Sequence, residues 1–343
     1  MRAYRMLAPG VARLVEVPVP EPGPGQVRID VVAAGLCHSD LHVVDGGAAA
    51  SWRLPFTLGH EVCGTVAELG AGVTSCAIGD QVVVHAPWGC DRCARCVAGA
   101  PNYCDRRASL PAAGIGLGVD GGMAEALVVD ATRLVPVPGI DAAAAAVLSD
   151  AALTSFHALS GISDLLGEDA TVVVIGVGGL GHLAVQLVRA VAAGTRVIAV
   201  DTRDEALELA HRLGAHTVAR PGPDTHGVVM TSAGGRGADV VLDFVGAQAT
   251  IDLGAAVLRP AGELVLVGSG GGRLVVSKPG ALPAGARVRL PFWGSRAELV
   301  QVVELARSGL LEVETTTMAL ADADAAFDQL RRAEVVGRLV LTR

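Results

Sequence analysis

Four cysteines fall within fifteen positions of one another: Cys90, Cys93, Cys96 and Cys104, in the run GCDRCARCVAGAPNYC. Their spacing is C-x2-C-x2-C-x7-C. Four thiolates on one short loop can surround a Zn²⁺ ion tetrahedrally, each at about 2.3 Å. A site with four protein ligands is closed, so it holds structure and leaves no position for a substrate. Spacing favours zinc but leaves two alternatives open: an iron–sulfur cluster, which also uses C-x2-C-x2-C runs, and a disulfide pair, disfavoured in a reducing compartment. Cys63 and Cys76 lack such neighbours and read as small buried apolar residues.

A second chemistry is written in TVVVIGVGGLG, residues 171–181. Gly176, Gly178 and Gly181 form G-x-G-x-x-G after a β-branched run and before a helical one. The first glycine permits a tight turn, the second lets backbone approach a pyrophosphate, and the third lets helix and strand pack closely. Gly179, Leu180 and Gly181 open the helix, whose N-terminus favours phosphate. Asp201 ends the next strand, where an acid binds ribose hydroxyls and repels a 2′-phosphate. NAD is therefore expected over NADP, with Arg203 nearby to soften the preference.

Two further runs, GLCHSDLH (35–42) and GHE (59–61), carry a cysteine, histidines and acids. Neither is diagnostic alone, because isolated His and Cys residues are more often structural than metal-bound.

Positions 1–150 read as short strands separated by Pro/Gly turns: Val11–Val17, Gln26–Val32, Gly64–Leu69 and Gln81–His85. That pattern predicts a β-rich body. From Thr171 strands alternate with helices. Strands are expected at Thr171–Ile175, Arg196–Val200, Asp239–Phe244 and Glu263–Val267. Helices are expected at Leu180–Ala193, Asp204–Leu213 and Ala249–Leu258, with a loop at Pro221–Asp224. The alternation means βαβ units and a parallel sheet. A helix at Arg296–Ser308, another at Asp324–Ala333 and a strand at Gly337–Thr342 complete the chain.

The 343 residues are 51% hydrophobic and 18% charged, a globular composition long enough for two domains. A net charge of −8 offers no basic footprint for nucleic acid and no polybasic membrane anchor. The apolar window Ala170–Val188 carries four glycines, His182 and Gln186, and reads as strand, turn and helix rather than a membrane span. Met1–Gly10 lacks the apolar core of a signal peptide. A cytoplasmic protein is expected.

Taken together, the order of GLCHSDLH, GHE, the four-cysteine lobe and the glycine turn resembles the zinc-containing medium-chain alcohol dehydrogenases. The similarity spans essentially the whole chain. It looks closest to bacterial broad-range secondary alcohol dehydrogenases and ketone reductases, through DAALTSFHA (150–158) and FWGSR (292–296). The resemblance implies an α/β protein: a GroES-like β-rich catalytic domain over 1–150 and 294–343, and a Rossmann doubly wound parallel-sheet domain over 151–293.

It also implies two Zn²⁺ per chain, with Cys37, His60 and Asp150 as catalytic ligands and the four-cysteine lobe as the structural site. Glu61 stays beside the metal, and Asp40 fixes the ring of His60. Hydride passes between the substrate carbon and nicotinamide C4, while Ser39 and His42 relay the proton through the cofactor ribose. His38 and Arg338 match pyrophosphate contacts. Trp52, Trp88, Leu110 and Trp293 match positions that wall the substrate pocket. Val245, Gly246 and Gly268 end parallel strands and should border the nicotinamide, because ligands bind outside the carboxyl ends of such strands. Ala286–Pro291 resembles an edge strand through which such domains pair, implying a homodimer or homotetramer.

Small alcohols or ketones are the expected substrates, with no nucleic acid or membrane as partner. The rivals are a zinc polyol or aldehyde dehydrogenase of the same superfamily and a non-catalytic nucleotide-binding protein on this fold. The intact Cys37, His60, Ser39 and His42 argue against the second.

Overall fold

The structure is a computed structural model that describes residues 1–46 and 52–343. Contacts divide the chain into two units: Met1–Leu153 with Trp293–Gly309 and Val313–Arg343, and Thr154–Phe292 with Leu310–Glu312.

The first unit is built on mainly antiparallel sheets, with Thr315–Ala319 pairing parallel beside Arg338–Thr342. Its longest strand, Gln26–Leu36, pairs with Glu61–Leu69, Ala126–Asp130 and Arg338–Thr342. Inward residues such as Val27, Ile29 and Leu36 are buried. Two partners meet this strand at the same end. Gly35 lies opposite Glu61 on one side and Val340 on the other, and Leu36 lies opposite Leu339. Register therefore brings residue 37, residues 60–61 and residue 338 to one end of one sheet. The helix Ala142–Val147, capped by the Asp141 carboxylate, packs against strands Gln26–Leu36 and Glu61–Leu69. It runs on into a π-helical turn, Leu148–Ala152, that carries Asp150. Such turns shift the face a helix presents and recur at functional sites. Ser149 pins this one: its hydroxyl donates to the Ala146 carbonyl at 2.7 Å and accepts from the Val62 amide at 3.3 Å.

The run Ala142–Ser160 is long and apolar enough to cross a membrane, with a mean hydropathy of 1.3, but 78% of it is buried inside the protein. The window Ala170–Val188 is strand, glycine turn and helix, as its glycines predict.

The second unit carries a six-stranded, all-parallel sheet. Its order is Thr217–Ala219, Arg196–Val200, Thr171–Ile175, Ala238–Asp243, Leu258–Leu266, Arg287–Arg289. In sequence terms this is 3-2-1-4-5-6, the doubly wound order that binds dinucleotides where the strand order reverses. Val173, Ile175, Ile198, Val200, Val241 and Leu264 form its core. They are apolar on both faces because parallel sheets are covered on both faces.

Sequence reading missed two elements here, the strand Thr217–Ala219 and the helix Thr225–Ser232. The strand is only three residues long. The helix, THGVVMTS, has mixed polar and apolar positions with no stripe, so neither announces itself by period. Leu258–Leu266 begins five residues before the expected strand. Cys76 is half-exposed rather than buried, unlike Cys63.

Candidate active site and metal centres

Cys37 terminates the long strand and caps the short helix His38–Val44. Its backbone N–H donates to the Asp40 carboxylate at 3.0 Å. The other Asp40 oxygen lies 3.2 Å from His60 Nδ1, so one buried carboxylate orients both residues. His60 Nε2 faces the Asp150 carboxylate at 3.4 Å. The donor atoms of Cys37, His60, Glu61 and Asp150 all lie within 4.8 Å of one another, and all four residues are buried. Arg338 closes the cluster: its guanidinium binds Glu61 through two nitrogens, Nε at 3.0 Å, and reaches Asp150 at 3.4 Å.

Charge explains the titration of this group. Burial alone would lower His60, but Asp40 and hydrogen bonds to Asp150 and Cys37 outweigh it, and the imidazole is raised well above its ordinary value. Burial would raise the Cys37 thiol, yet Arg338 and His60 bring it below the usual range. Asp150 is likewise held below the carboxylate range against its burial, by His60 and Arg338. Burial pushes Glu61 up, and Arg338 only partly offsets it. A thiol, an imidazole and carboxylates that together favour positive charge at their centre are the donor chemistry of a zinc site.

The helix after Cys37 exposes three other candidates. Ser39 Oγ lies 3.6 Å from Cys37 Sγ, and His38 and His42 stand on the exposed side of the same helix. Trp293 meets His60 edge to face, with ring centroids 5.7 Å apart. Trp52 packs on Phe56, and Trp88 lies under the Arg133 guanidinium; both tryptophans are half-buried, as is Leu110.

Sequence reading missed Gly35. A Cβ there would lie 1.9 Å from Glu61 Oε2, so only glycine lets the strand pass this carboxylate. A glycine in the apolar final stretch of that strand, Val31–Leu36, was the available signal. It also gave no sign that Arg338 binds Glu61 and Asp150, since a contact across 277 residues has no local pattern.

The four-cysteine lobe is local. Cys90, Cys93, Cys96 and Cys104 bring their sulfurs within 4.8 Å of one another. Cys93 Sγ is 3.9 Å from Cys104 Sγ, and all seven cysteines are free. That separation is far beyond a disulfide bond. Cys93 caps the turn Ala94–Val97, and the Arg106 amide donates to Cys104 Sγ. Backbone N–H groups of Arg92 and Cys93 lower Cys90 to about 6, while burial and the neighbouring thiols push Cys96 up to about 12.

In the second unit the glycine turn has the form its spacing predicts. Gly176 has φ +86°. A Cβ at Gly181 would lie 1.9 Å from the Gly176 carbonyl, whereas Gly178 fronts open space. Backbone there is free to approach a ligand. Leu180 supplies no side-chain cap to the helix Gly181–Val191. Asp201 accepts from the Val177 amide at 2.8 Å and from Arg203 through its backbone N–H at 3.0 Å and Nε at 3.3 Å. Asp243 accepts from the amides of Val245 and Gly246, and a Cβ on Gly246 would lie 2.1 Å from the Gly268 carbonyl. These strand ends close on one another at the carboxyl edge of the sheet.

Comparisons with known proteins agree with both units. Residues 23–139 match the alcohol dehydrogenase GroES-like domain, and residues 179–308 match the zinc-binding dehydrogenase family. An NAD-dependent alcohol dehydrogenase of Sulfurisphaera tokodaii is 34% identical over 99% of each chain. The crystal structure of the alcohol dehydrogenase from Aeropyrum pernix superposes with a TM-score of 0.93, at 34% identity over 100% of both chains. Acetophenone reductase from Geotrichum candidum, solved with NAD, gives 0.87 at 31% identity over 100% of this chain and 97% of that one. The fold is accordingly a GroES-like β-rich domain with a Rossmann domain, and the chain belongs to the zinc-containing medium-chain alcohol dehydrogenases.

Proposed function

We propose that this chain is a zinc- and NAD-dependent alcohol dehydrogenase. It moves a hydride between a primary or secondary alcohol, or the matching aldehyde or ketone, and NAD(H). The observation that carries this reading is the convergence of Cys37, His60, Glu61 and Asp150 beside the Ser39 hydroxyl. Cys37, His60 and Asp150 would hold the catalytic zinc, and Cys90, Cys93, Cys96 and Cys104 the structural one. Bound zinc would supply Lewis acidity toward the substrate oxygen, and the nicotinamide a hydride acceptor.

The chain's own residues do the rest. Asp40 fixes His60 and the Cys37 backbone together, so the donor set is oriented before substrate arrives. The Ser39 hydroxyl can accept a proton at its oxygen while donating its own. His42, three residues further along the same helix and exposed, would carry that proton outward to solvent. Gly178, Gly179, Leu180 and Gly181 would receive the pyrophosphate, and Val245, Gly246 and Gly268 would border the nicotinamide. Asp201 selects the unphosphorylated ribose, although its pairing with Arg203 tempers its charge.

His38 remains the candidate phosphate contact on its helix. Arg338 remains a candidate phosphate contact from the C-terminal strand while Nε and Nη2 hold Glu61 and Asp150. Trp293 walls the pocket beside His60, with Trp52, Trp88 and Leu110 as further candidates. The open edge strand Arg287–Arg289 suits pairing with a second copy, as a homodimer or homotetramer. Thiols gathered for metal rather than paired as disulfides fit the cytoplasm.

The test is zinc content of the purified protein with NADH absorbance on mixing NAD⁺ with a panel of secondary alcohols. Two zinc ions per chain and accumulating NADH are expected. One zinc and no NADH would leave the structural lobe and overturn the enzymatic reading.

A further inference from the structure

His85 is buried 25 residues beyond His60 in sequence and takes no part in the metal cluster. Its Nε2 lies 2.9 Å from the carbonyl oxygen of Gly294, across 209 residues. Burial pushes its pKa down to about 4, helped by Arg133 and Arg296 and opposed by the Gly294 carbonyl and Glu298. Near neutral pH the ring is uncharged, with its proton on the nitrogen that donates to Gly294. The residue before Gly294 is Trp293, which holds φ at +50°, a left-handed conformation that a bulky side chain adopts only when its surroundings impose it.

The surroundings do so from three sides. His85 holds the carbonyl that follows the strained residue. Gly294 itself has no room for a side chain, since a Cβ would lie 2.5 Å from Leu153 Cδ1. The indole lies directly on Gly114, where a Cβ would come within 2.8 Å of Trp293 Cη2 and 3.0 Å of Cζ3. Gly114 and His85 belong to the same small piece of structure, because Ile115 donates to the Ala86 carbonyl at 3.1 Å and Pro87 bridges to Gly114. The outcome is an indole held edge-on to the His60 ring.

We propose that His85 and Gly114 form a seat that fixes Trp293 against His60, and that this seat sets which alcohols the site accepts. His85 is a positioning residue: it touches neither substrate nor cofactor and acts through the backbone at Gly294. A wall held in a strained conformation by a buried hydrogen bond excludes substituents that a mobile indole would let pass. The selectivity half of this proposal rests on the alcohol dehydrogenase reading; the seat itself does not.

The experiment compares His85→Leu, His85→Gln and Gly114→Ala with the parent. Two readouts are taken: the ratio of kcat/KM for 1-phenylethanol to that for 2-propanol, and the emission and acrylamide quenching of Trp293 in chains where Trp52 and Trp88 are Phe. His85→Leu should raise quenching of Trp293 and change the substrate ratio about 10-fold, mostly through KM for the bulkier alcohol. His85→Gln keeps a donor for the Gly294 carbonyl and should bring the ratio back to within about 3-fold of the parent. Gly114→Ala presses on the indole and on the Ala86 carbonyl beside His85, and so disturbs the seat from the other side while leaving the His85 side chain in place. It should also change the ratio, and it keeps the proposal testable if His85→Leu does not fold. Unchanged Trp293 emission in both His85→Leu and Gly114→Ala would show that no seat exists. Moved emission with an unchanged ratio would show that the seat does not set selectivity. If the parent oxidises no alcohol, the enzymatic reading fails and takes the selectivity half with it, while the emission arm still decides the seat.

Discussion

The four-cysteine lobe draws its donors from fifteen consecutive residues, while the Cys37 cluster draws its groups from residues 37, 60–61, 150 and 338. The lobe lies half in solvent, and a turn and a few backbone N–H groups shape it. The Cys37 cluster is buried, and each of its groups answers to another: Asp40 to His60 and Cys37, Arg338 to Glu61 and Asp150. On the proposed reading the lobe is a closed structural site, which needs only a loop that brings four thiolates together, and the Cys37 cluster is a site that keeps a position for substrate and is held from behind by a whole sheet.

The sharpest way to break this contrast is to remove one donor from the buried cluster. Cys37→Ala should lower zinc content from two ions per chain to one and reduce turnover at least about 10³-fold, since Lewis-acid stabilisation is worth several kcal/mol. Because the lobe is self-contained, the remaining zinc should stay in it. Metal analysis with steady-state kinetics checks both. Loss of both zinc ions would mean that the two centres are not independently built.

A second prediction concerns the backing of the cluster. Arg338 and Glu61 are 4% and 0% exposed, whereas Arg95 and Asp105, an ion pair in the lobe, are 59% and 50% exposed. Arg338→Leu leaves Glu61 buried without its partner and should destabilise the first unit by about 3 kcal/mol. Arg95→Ala should change stability by less than about 1 kcal/mol, because water screens an exposed pair. Urea unfolding, followed by probes in each unit so that the two transitions are separated, tests the difference. Equal losses would mean that burial does not distinguish the two regions.

The same contrast explains what was legible in the sequence. The lobe and the glycine turn are local, so residue types and spacing alone pick out both segments. The parallel sheet was legible because its strands are β-branched and alternate with helices. The Cys37 cluster was legible only through resemblance, since no spacing links residues 37, 60, 150 and 338. Their meeting depends on register, with Gly35 opposite Glu61, and on the π-helical turn that carries Asp150. The Arg338–Glu61 pair, the glycine that makes room for it, and the His85 hydrogen bond to Gly294 are long-range contacts with no periodic signature. The helix Thr225–Ser232 stayed hidden for a different reason: it has no apolar stripe to reveal it.

The smallest effect expected is also the most discriminating, because both regions hold a thiol of lowered pKa and differ in access. Cys90 in the lobe is lowered to about 6 and half-exposed, whereas Cys37 is lowered too but buried. Once a chelator has stripped the metal, iodoacetamide should label Cys90 and spare Cys37. The pH dependence has a definite sign. At pH 6 about half of Cys90 is thiolate, against roughly 0.3% of an ordinary cysteine with pKa near 8.5, an advantage of about 150-fold. A less basic thiolate is also a weaker nucleophile, and a Brønsted slope near 0.45 over about 2.5 units removes roughly 13-fold of that advantage. Cys90 should therefore react about 10-fold faster than a cysteine peptide at pH 6. By pH 8 the thiolate advantage shrinks to about 4-fold, and Cys90 should then react a few-fold more slowly than the peptide. A crossing of the two rates between those pH values, read by peptide mapping, is the signature of a solvent-accessible thiolate stabilised by backbone N–H groups. Labelling of Cys37 at a comparable rate would mean that the cluster opens to solvent once its metal is gone, and that its rigidity comes from the ion rather than from the sheet behind it.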